Sequence, residues 1–583
     1  MKARLSWQWM ILGIWLLLSA ALIASGWNHI RLGVGWDPDD QLRLVQLRDF
    51  LHGQGWFDNR QYRLNPPDGA PMHWSRLIEL PLAAIVNLCA PLFGQATAEI
   101  IASTAVPLCV FGIIIYLLAR IAAHVGGQVA GVAAAIIAAL SAPLVMQLRP
   151  MRIDHHGWQI AMAALALACV FHNNARKAGL VMGLALSVWL HISLEGAPMS
   201  VAFFLFLGAQ WLIHPVESRR LFWTILSFAL SSLALFLGTQ AQGLGAAIYC
   251  DTVSPPHVLA ILAAAAIMLP AIRMAPRQML LRAAILLTSG GAALLVMALR
   301  APACLSGAFG TLDPLVREYW YIYVNEGLPV WRQDFDAAAM LLAGPMVGFA
   351  SGHYLLLTAR GPERSKLVIL VFFTAYATLL SFLVFRTVAV ASAYAAIPAA
   401  VLIARLFARY RQEGVAVRRI AYVASILLLI VPSAGVNAIL DLRPEKKTAQ
   451  ERRTGTSLAS CESARSVSAL DALPKGQFVA PFDMAPMILA RTKHSVLASS
   501  HHRNERAMHD HIQIFRSVPD DSHHLMRIRK INYLAVCVDE EELANYKRKD
   551  PKGLWALMAK GDVPAWLEPL PVIGKGIRVW RVR

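Results

Sequence analysis

The chain has 583 residues, 57% apolar and 15% charged, with a mean hydropathy of +0.50; it is too apolar and too poor in charge to be a soluble globular protein. Its formal net charge of +18 would suggest nucleic acid in a soluble chain. Here, however, Lys and Arg gather in short loops between apolar runs, and no basic helix with interleaved aromatics accompanies them, so nucleic acid is excluded as a partner and membrane lipid is included.

Apolar runs of roughly 20 residues, the length that spans a bilayer, recur at 7–27, 97–121, 128–147, 158–173, 178–193, 198–214, 221–240, 257–274, 280–299, 338–358, 366–385, 388–408 and 418–440. The first follows Met1-Lys-Ala-Arg and exceeds the apolar core of a cleaved signal peptide, so it is read as an anchor. The expectation is about thirteen spans. Basic residues mark alternate loops as cytoplasmic: Met1 to Arg4, Arg120, Arg176-Lys177, Arg219-Arg220, 273–282, 360–366 and 405–419. The remaining loops, including 28–96 and 300–337, are then extracytoplasmic, and so is everything after 440, in what reads as a bacterial inner membrane.

Within the first long outer loop, Leu42, Leu44, Val45, Leu47, Phe50 and Leu51 form a helical stripe that suits an interfacial amphipathic helix. Asn65-Pro66-Pro67-Asp68-Gly69 is a turn cluster, and Leu77 to Phe93, with Pro81 and Pro91, reads as a re-entrant or interfacial segment. Beyond Leu440 the composition becomes polar. Gln477 to Pro481 and Ile531 to Val538 read as buried strands, and Glu540 to Tyr546 and Gly553 to Met558 as helices. The organisation is thus a mainly α, polytopic membrane domain at 1–440 followed by a mixed α/β domain at 441–583. The seven cysteines show no metal-ligand spacing; Cys461 and Cys537 could pair in an oxidising compartment, and Cys89, Cys109 and Cys169 read as free buried thiols.

The acids and imidazoles at the outer ends of the spans are Asp37, Asp39, Asp40, Asp154, His155, His156 and Glu326. Carboxylates collected beside a bilayer call for compensation. Mg²⁺ or Mn²⁺ would supply it, Mn²⁺ also accepting imidazole. The same residues also fit a plainer role, with Asp154 capping the span that starts near Trp158 and Asp37 capping the helix that opens at Pro38. His501, His502, His509, His511, His523 and His524 fit a solvated polar surface.

Three motifs in order, Asp37-Pro38-Asp39-Asp40-Gln41-Leu42-Arg43, Arg152-Ile153-Asp154-His155-His156 and Val324-Asn325-Glu326-Gly327-Leu328-Pro329-Val330-Trp331, resemble the acidic motifs of the catalytic subunit of oligosaccharyltransferase, a GT-C glycosyltransferase. The resemblance implies thirteen spans, a C-terminal extracytoplasmic domain, and a divalent metal held by Asp37, Asp154, His156 and Glu326. It further implies that Arg386, in Phe385-Arg386-Thr387, binds the phosphate of a polyprenyl-(pyro)phosphate-linked glycan donor. Asp37, Asp154 and Glu326 become the catalytic residues of an inverting transfer to an acceptor of unspecified class. Where the family has Trp-Trp-Asp and Tyr-Gly, this chain has Val479-Ala480-Pro481-Phe482-Asp483-Met484-Ala485-Pro486, so reading of an Asn-x-Ser/Thr acceptor is not expected. The rival reading is a transporter or flippase of lipid-linked glycan. Against it stand the position of the acids at span ends, not at the midplane, and the absence of an internal repeat.

Overall fold

The computed structural model describes residues 6–214, 218–240, 245–441, 464–537, 540–571 and 576–583; Cys461 lies outside them, and so does its pairing with Cys537. The chain divides into two compact units, one of 1–27, 75–310 and 325–443, the other of 28–74, 311–324 and 444–583. The second unit therefore takes in most of the first outer loop and a piece of the fifth, beside the C-terminal segment.

The first unit is helical. Among the described residues ten helices are long and apolar enough to cross a membrane, or eleven if Ala416–Ile430 and Pro432–Leu440, bent by 93°, form one broken span. The difference from the expected number has identifiable sources. The expected runs 97–121 and 128–147 lie mainly in one helix, Gln95–Leu140, broken at Gly127, whose φ of 83° is open to glycine at little cost. His156–Val170 has only 15 residues, and Ala175–Ile192 is not among the ten. Conversely Arg76–Phe93, expected to be re-entrant or interfacial, is among them. Leu280, Leu287 and Leu299 on Met279–Arg300 are exposed, as side chains facing lipid are. The chain is an integral membrane protein.

Val388–Gln412 is the central helix, with every residue from Val388 to Val401 buried; it packs against Gln95–Leu140, Phe335–Thr358, Gly361–Leu383 and Ala416–Ile430. Small residues set the pairing of Ala175–Ile192 with Ser218–Thr239. A Cβ on Gly183 would stand 2.4 Å from the Thr224 carbonyl oxygen, and one turn on, the Ser232 hydroxyl donates to Ser187 Oγ at 3.0 Å. Lipid offers no hydrophobic drive for helices to associate, so close backbone approach and buried hydroxyl pairs supply it. A disulfide joins Cys250 to Cys304. Cys89, Cys109 and Cys169 are free, but only Cys169 is buried.

The second unit is mixed α/β. A short antiparallel ribbon, β1 (Arg60–Gln61) with β2 (Ala70–Pro71), accompanies a five-stranded sheet of β3 (Gln477–Val479), β4 (Ser495–Val496), β5 (Tyr533–Cys537), β6 (Leu567–Pro569) and β7 (Ile577–Val582), in the order β4-β3-β5-β7-β6. β3 pairs in parallel with β4 and β5, while β7 runs antiparallel to β5 and β6. Strands β3 and β5 are wholly buried, as their unbroken apolar runs require. The helix Pro38–Leu51 packs on Ala485–Arg491 and buries Leu42, Leu44, Val45 and Leu47. It is a core helix of this unit, not an interfacial one. Its apolar stripe is covered by the sheet domain, and Arg43, which lies off that stripe, is fully buried with its guanidinium 4.3 Å above the Trp74 ring.

The fifth-loop piece is fastened by its own chemistry. Asp313 caps the helix Pro314–Tyr319 by accepting from the N–H groups of Leu315 and Val316 at 2.9 and 3.0 Å, and it faces His509 Nδ1 at 3.1 Å. The Tyr319 hydroxyl donates to Asp550 at 2.7 Å. Burial pulls the Asp313 carboxyl up, but the Val316 N–H and His509 more than reverse it and hold it below the usual carboxylate range. A depressed carboxyl contributes stability above its unfolded value, about 3.9, that is lost as pH falls through the folded one. Asp313→Ala removes about 0.5–2 kcal/mol of capping, so amide exchange in 314–319 should quicken about two- to thirtyfold at neutral pH. The wild-type chain should lose the same protection in acid, below about pH 4. Unchanged exchange in the variant would remove Asp313 as the fastening.

Candidate active site

Four short segments of the first unit converge. Asp154 lies in the loop that precedes His156–Val170 and is buried. It is not the cap of that helix: His155 occupies the cap position, and the Asp154 carboxylate is turned onto the imidazoles. Its Oδ1 meets His155 Nδ1 at 2.6 Å and its Oδ2 meets His156 Nε2 at 3.2 Å, with Arg152 Nη2 at 3.7 Å. Burial lowers the His155 pKa, but Asp154, with Glu195 beyond it, outweighs that and raises it to about 9. Gln159, one turn along the helix, donates to His156 Nδ1 at 3.3 Å. That contact places the His156 proton on Nε2, toward Asp154.

The second segment is the turn Leu194–Gly196 after the helix Ala175–Ile192. It lies flat on Trp189, since a Cβ on Gly196 would fall 2.4 Å from the indole Nε1. Trp189 in turn donates to Gln159 Oε1 at 3.0 Å, and Gln159 Nε2 is 3.2 Å from Glu195 Oε2. Glu195 Oε2 is 3.8 Å from His155 Nε2 and 4.0 Å from His156 Nδ1.

Arg386 comes from the turn Phe385–Thr387 at the head of the central helix. Nη1 is bonded to Glu195 Oε1, and Nη2 is 3.1 Å from Glu326 Oε1. Glu326 sits in Asn325–Gly327, tied to the same turn by the Phe385 N–H to Leu328 carbonyl bond at 3.1 Å. Arg386, Glu195, His156 and Gln159 form the polar wall of a cleft whose other side includes Ile160 and Trp189.

Of the residues singled out from sequence, Asp154, His156, Glu326 and Arg386 thus belong to one connected cluster, with His155 added. Asp37 belongs to the other unit, where its carboxylate accepts from the Asp40 N–H at 3.0 Å and caps Pro38–Leu51 while Asp40 reciprocates. Glu195, the residue that joins the halves of the cluster, went unmarked in sequence. Its signal was solitude: between Lys177 and Glu217 it is the one Asp, Glu, Lys or Arg, at the end of an apolar run. Of the histidines expected on a solvated surface, His524 is exposed and His502, His509 and His523 are partly so, but His501 and His511 are buried, His511 with Nε2 2.9 Å from Glu542 Oε1.

Ligand atoms of Asp154, His155 and His156 lie within 4.8 Å of one another. One carboxylate and two imidazoles suit Mn²⁺ or Zn²⁺ better than Mg²⁺, which prefers oxygen alone. The residues present therefore fit a divalent cation.

No family model and no curated protein matches the chain. Solved structures do. Archaeal oligosaccharyltransferase AglB from Archaeoglobus fulgidus, in complex with an inhibitory peptide and a dolichol-phosphate, aligns with 96% of this chain and 73% of its own at 12% identity and a TM-score of 0.67. The Archaeoglobus fulgidus oligosaccharyltransferase tethered to an acceptor peptide containing the NVT sequon covers 98% and 74% at 12% identity and 0.63. The same enzyme with Zn and sulfate covers 97% and 72% at 14% identity and 0.60. The chain has the fold of these enzymes, and the resemblance carried by its three acidic motifs holds at the level of fold.

If the cluster holds a cation, Asp154→Asn should weaken Mn²⁺ binding at least about tenfold, measured by electron paramagnetic resonance titration of the purified chain. Equal affinities for the variant and the wild type would place any bound Mn²⁺ elsewhere.

Proposed function

We propose that the chain is a membrane glycosyltransferase that moves a sugar or oligosaccharide, with inversion, from a polyprenyl phosphate or pyrophosphate to an acceptor outside the cytoplasm. The observation that carries this reading is Arg386, at the head of a buried helix and beside a carboxylate–imidazole cluster, in a chain with the fold of enzymes one of which holds a dolichol-phosphate. A guanidinium matches phosphate oxygens with a two-pronged fork. Asp154 and His156 would hold the divalent cation, with Asp37 and Glu326 completing the ligand set that the motif resemblance implies. Such a cation supplies neutralising charge for a departing phosphate. The protein's own part is to keep Arg386 aimed where that charge grows, a preorganised interaction that lowers a barrier by several kcal/mol. Asp37 is the carboxylate assigned to orient or deprotonate the acceptor nucleophile.

Two further observations support the finer assignments. Along Val479 to Pro486 only Asp483 is exposed, and Phe482 is spent on a stack with His511 at 4.2 Å between centroids. The aromatic surface with which relatives of known sequence pattern read a hydroxylated sequon has no counterpart there, so the acceptor is assigned elsewhere than Asn-x-Ser/Thr. The Cys250–Cys304 disulfide links two loops that the positive-inside pattern puts on one outer side, where disulfides persist.

Asp37→Ala and Glu326→Ala should each insert in the membrane normally and lower transfer by about 10² or more, read as glycans missing from the cell's mass-spectrometric profile. Normal glycans with both variants would end the assignment. Independently, alkylation of intact membranes without reductant should leave Cys250 and Cys304 unlabelled and joined in one peptide pair; free thiols at both would reverse the orientation.

A further inference from the structure

Arg386 is fully engaged with carboxylates before any donor arrives. Glu195 takes Nη1 and Glu326 stands at Nη2, so a phosphate brought to the same fork meets two like charges unless one gives way. Glu326 has a more exposed side chain than Glu195, 45% against 34%. Glu195 has second destinations within reach, since its Oε2 is 3.8 Å from His155 Nε2, a ring already taken by Asp154 through Nδ1, and 4.0 Å from His156 Nδ1. A histidine that ligates a metal through Nε2 donates its Nδ1–H to a carboxylate as a rule. In the structure the Gln159 amide nitrogen, a donor, stands 3.3 Å from His156 Nδ1, and Nε2 is turned to Asp154 at 3.2 Å, an arrangement that suits the opposite tautomer.

We propose that Glu195 is a positioning residue that changes partners: it occupies Arg386 in the donor-free enzyme, and when a phosphate takes the guanidinium it accepts the Nδ1–H of His156, freeing Nε2 for a divalent cation. The proton balance is internal to the imidazole and its surroundings. Nε2 gives up its hydrogen and Nδ1 acquires one, which goes to Glu195 in place of the Gln159 amide contact, while Gln159 Oε1 keeps the Trp189 N–H. Donor phosphate and cation then favour one another, and by linkage each must strengthen the other by the same factor. This inference rests on the glycosyl-transfer reading above, because it takes Arg386 as the phosphate-binding group.

The test uses the purified full-length chain in detergent, with Mn²⁺ alone and a polyprenyl monophosphate alone as probes, then each in the presence of the other. In the wild type, saturating Mn²⁺ should tighten the polyprenyl phosphate at least about tenfold, and the reverse titration should return the same factor. In Glu195→Gln, binding of the phosphate without metal should tighten, because a competing charge is gone. Mn²⁺ affinity should fall about 10- to 100-fold, and the mutual factor should approach one. Glu195→Asp, which keeps the charge, should restore part of the coupling; a carboxylate with a merely structural role would leave Asp and Gln variants alike. Wild-type coupling that persists undiminished in Glu195→Gln overturns the exchange while leaving the glycosyl-transfer reading intact. A wild-type chain that binds polyprenyl phosphate no better than Arg386→Ala does overturns both.

Discussion

The guanidinium of Arg386, held between Glu195 and Glu326, is the contact through which the rest of the first unit's polar chemistry is balanced. Three carboxylates, Asp154, Glu195 and Glu326, face two guanidiniums, Arg152 and Arg386, and the imidazole of His155. Taken singly, each group would be costly so near the apolar spans, because a partly buried charge without a partner loses hydration that nothing replaces. Taken together they neutralise one another in pairs that share atoms. The cluster can therefore be remade by exchanging partners, but it cannot lose a member without leaving a stranded charge. This constraint also explains why the segments are short turns at helix ends: a turn can present one charged side chain to the cluster while the adjoining helix stays apolar toward lipid.

The second unit holds several of its polar groups in small separate sets. Asp37 and Asp40 satisfy backbone N–H groups at the start of Pro38–Leu51, and Arg43 lies over Trp74. His501 is held from both sides, with Ser499 Oγ 2.8 Å from Nδ1 and Asp39 Oδ1 3.3 Å from Nε2. The acidic stretch Asp37-Pro38-Asp39-Asp40 is thus committed to structure before any ligand is considered. Capping does not remove Asp37 from chemistry, since a carboxylate has a second oxygen. It does mean that replacing Asp37 tests stability and activity together, whereas Glu326, in a partly exposed turn, separates them better.

How far the sequence could be read followed from what each signal measures. Apolar length located the helices, because the bilayer imposes it; the break at Gly127 falls between the two runs read at 97–121 and 128–147, and length was least decisive at the short helix His156–Val170. Amphipathic period identified Pro38–Leu51 as a helix with one apolar face, but period says nothing of what covers that face, and the cover proved to be the sheet domain in place of a membrane surface. The burial of His511 was legible and overlooked: Met508, His511, Ile512 and Phe515 recur at helical spacing along Glu505–Arg516 and all are buried. Asp154 and His156 were found because two ligand types two residues apart are conspicuous. Glu195 was not, because its partners Arg386 and His155 are far away in sequence and only the packing of Gly196 on Trp189 aims it at them.

The division of labour between the units bears on what the enzyme can use as acceptor. On the proposed reading, the groups that face the donor phosphate other than Asp37, namely Arg386, Glu326, Glu195 and the Asp154–His156 pair, belong to the first unit and are bound into its charge balance. The stretch Val479 to Pro486 belongs to the second unit and contributes no charge to that cluster. Substitutions in it change buried packing around Phe482 and Met484 without stranding a carboxylate or guanidinium in the other unit. The stretch Val479 to Pro486 can therefore change at small energetic cost, while the Arg386 cluster is a network in which each change is felt by its neighbours.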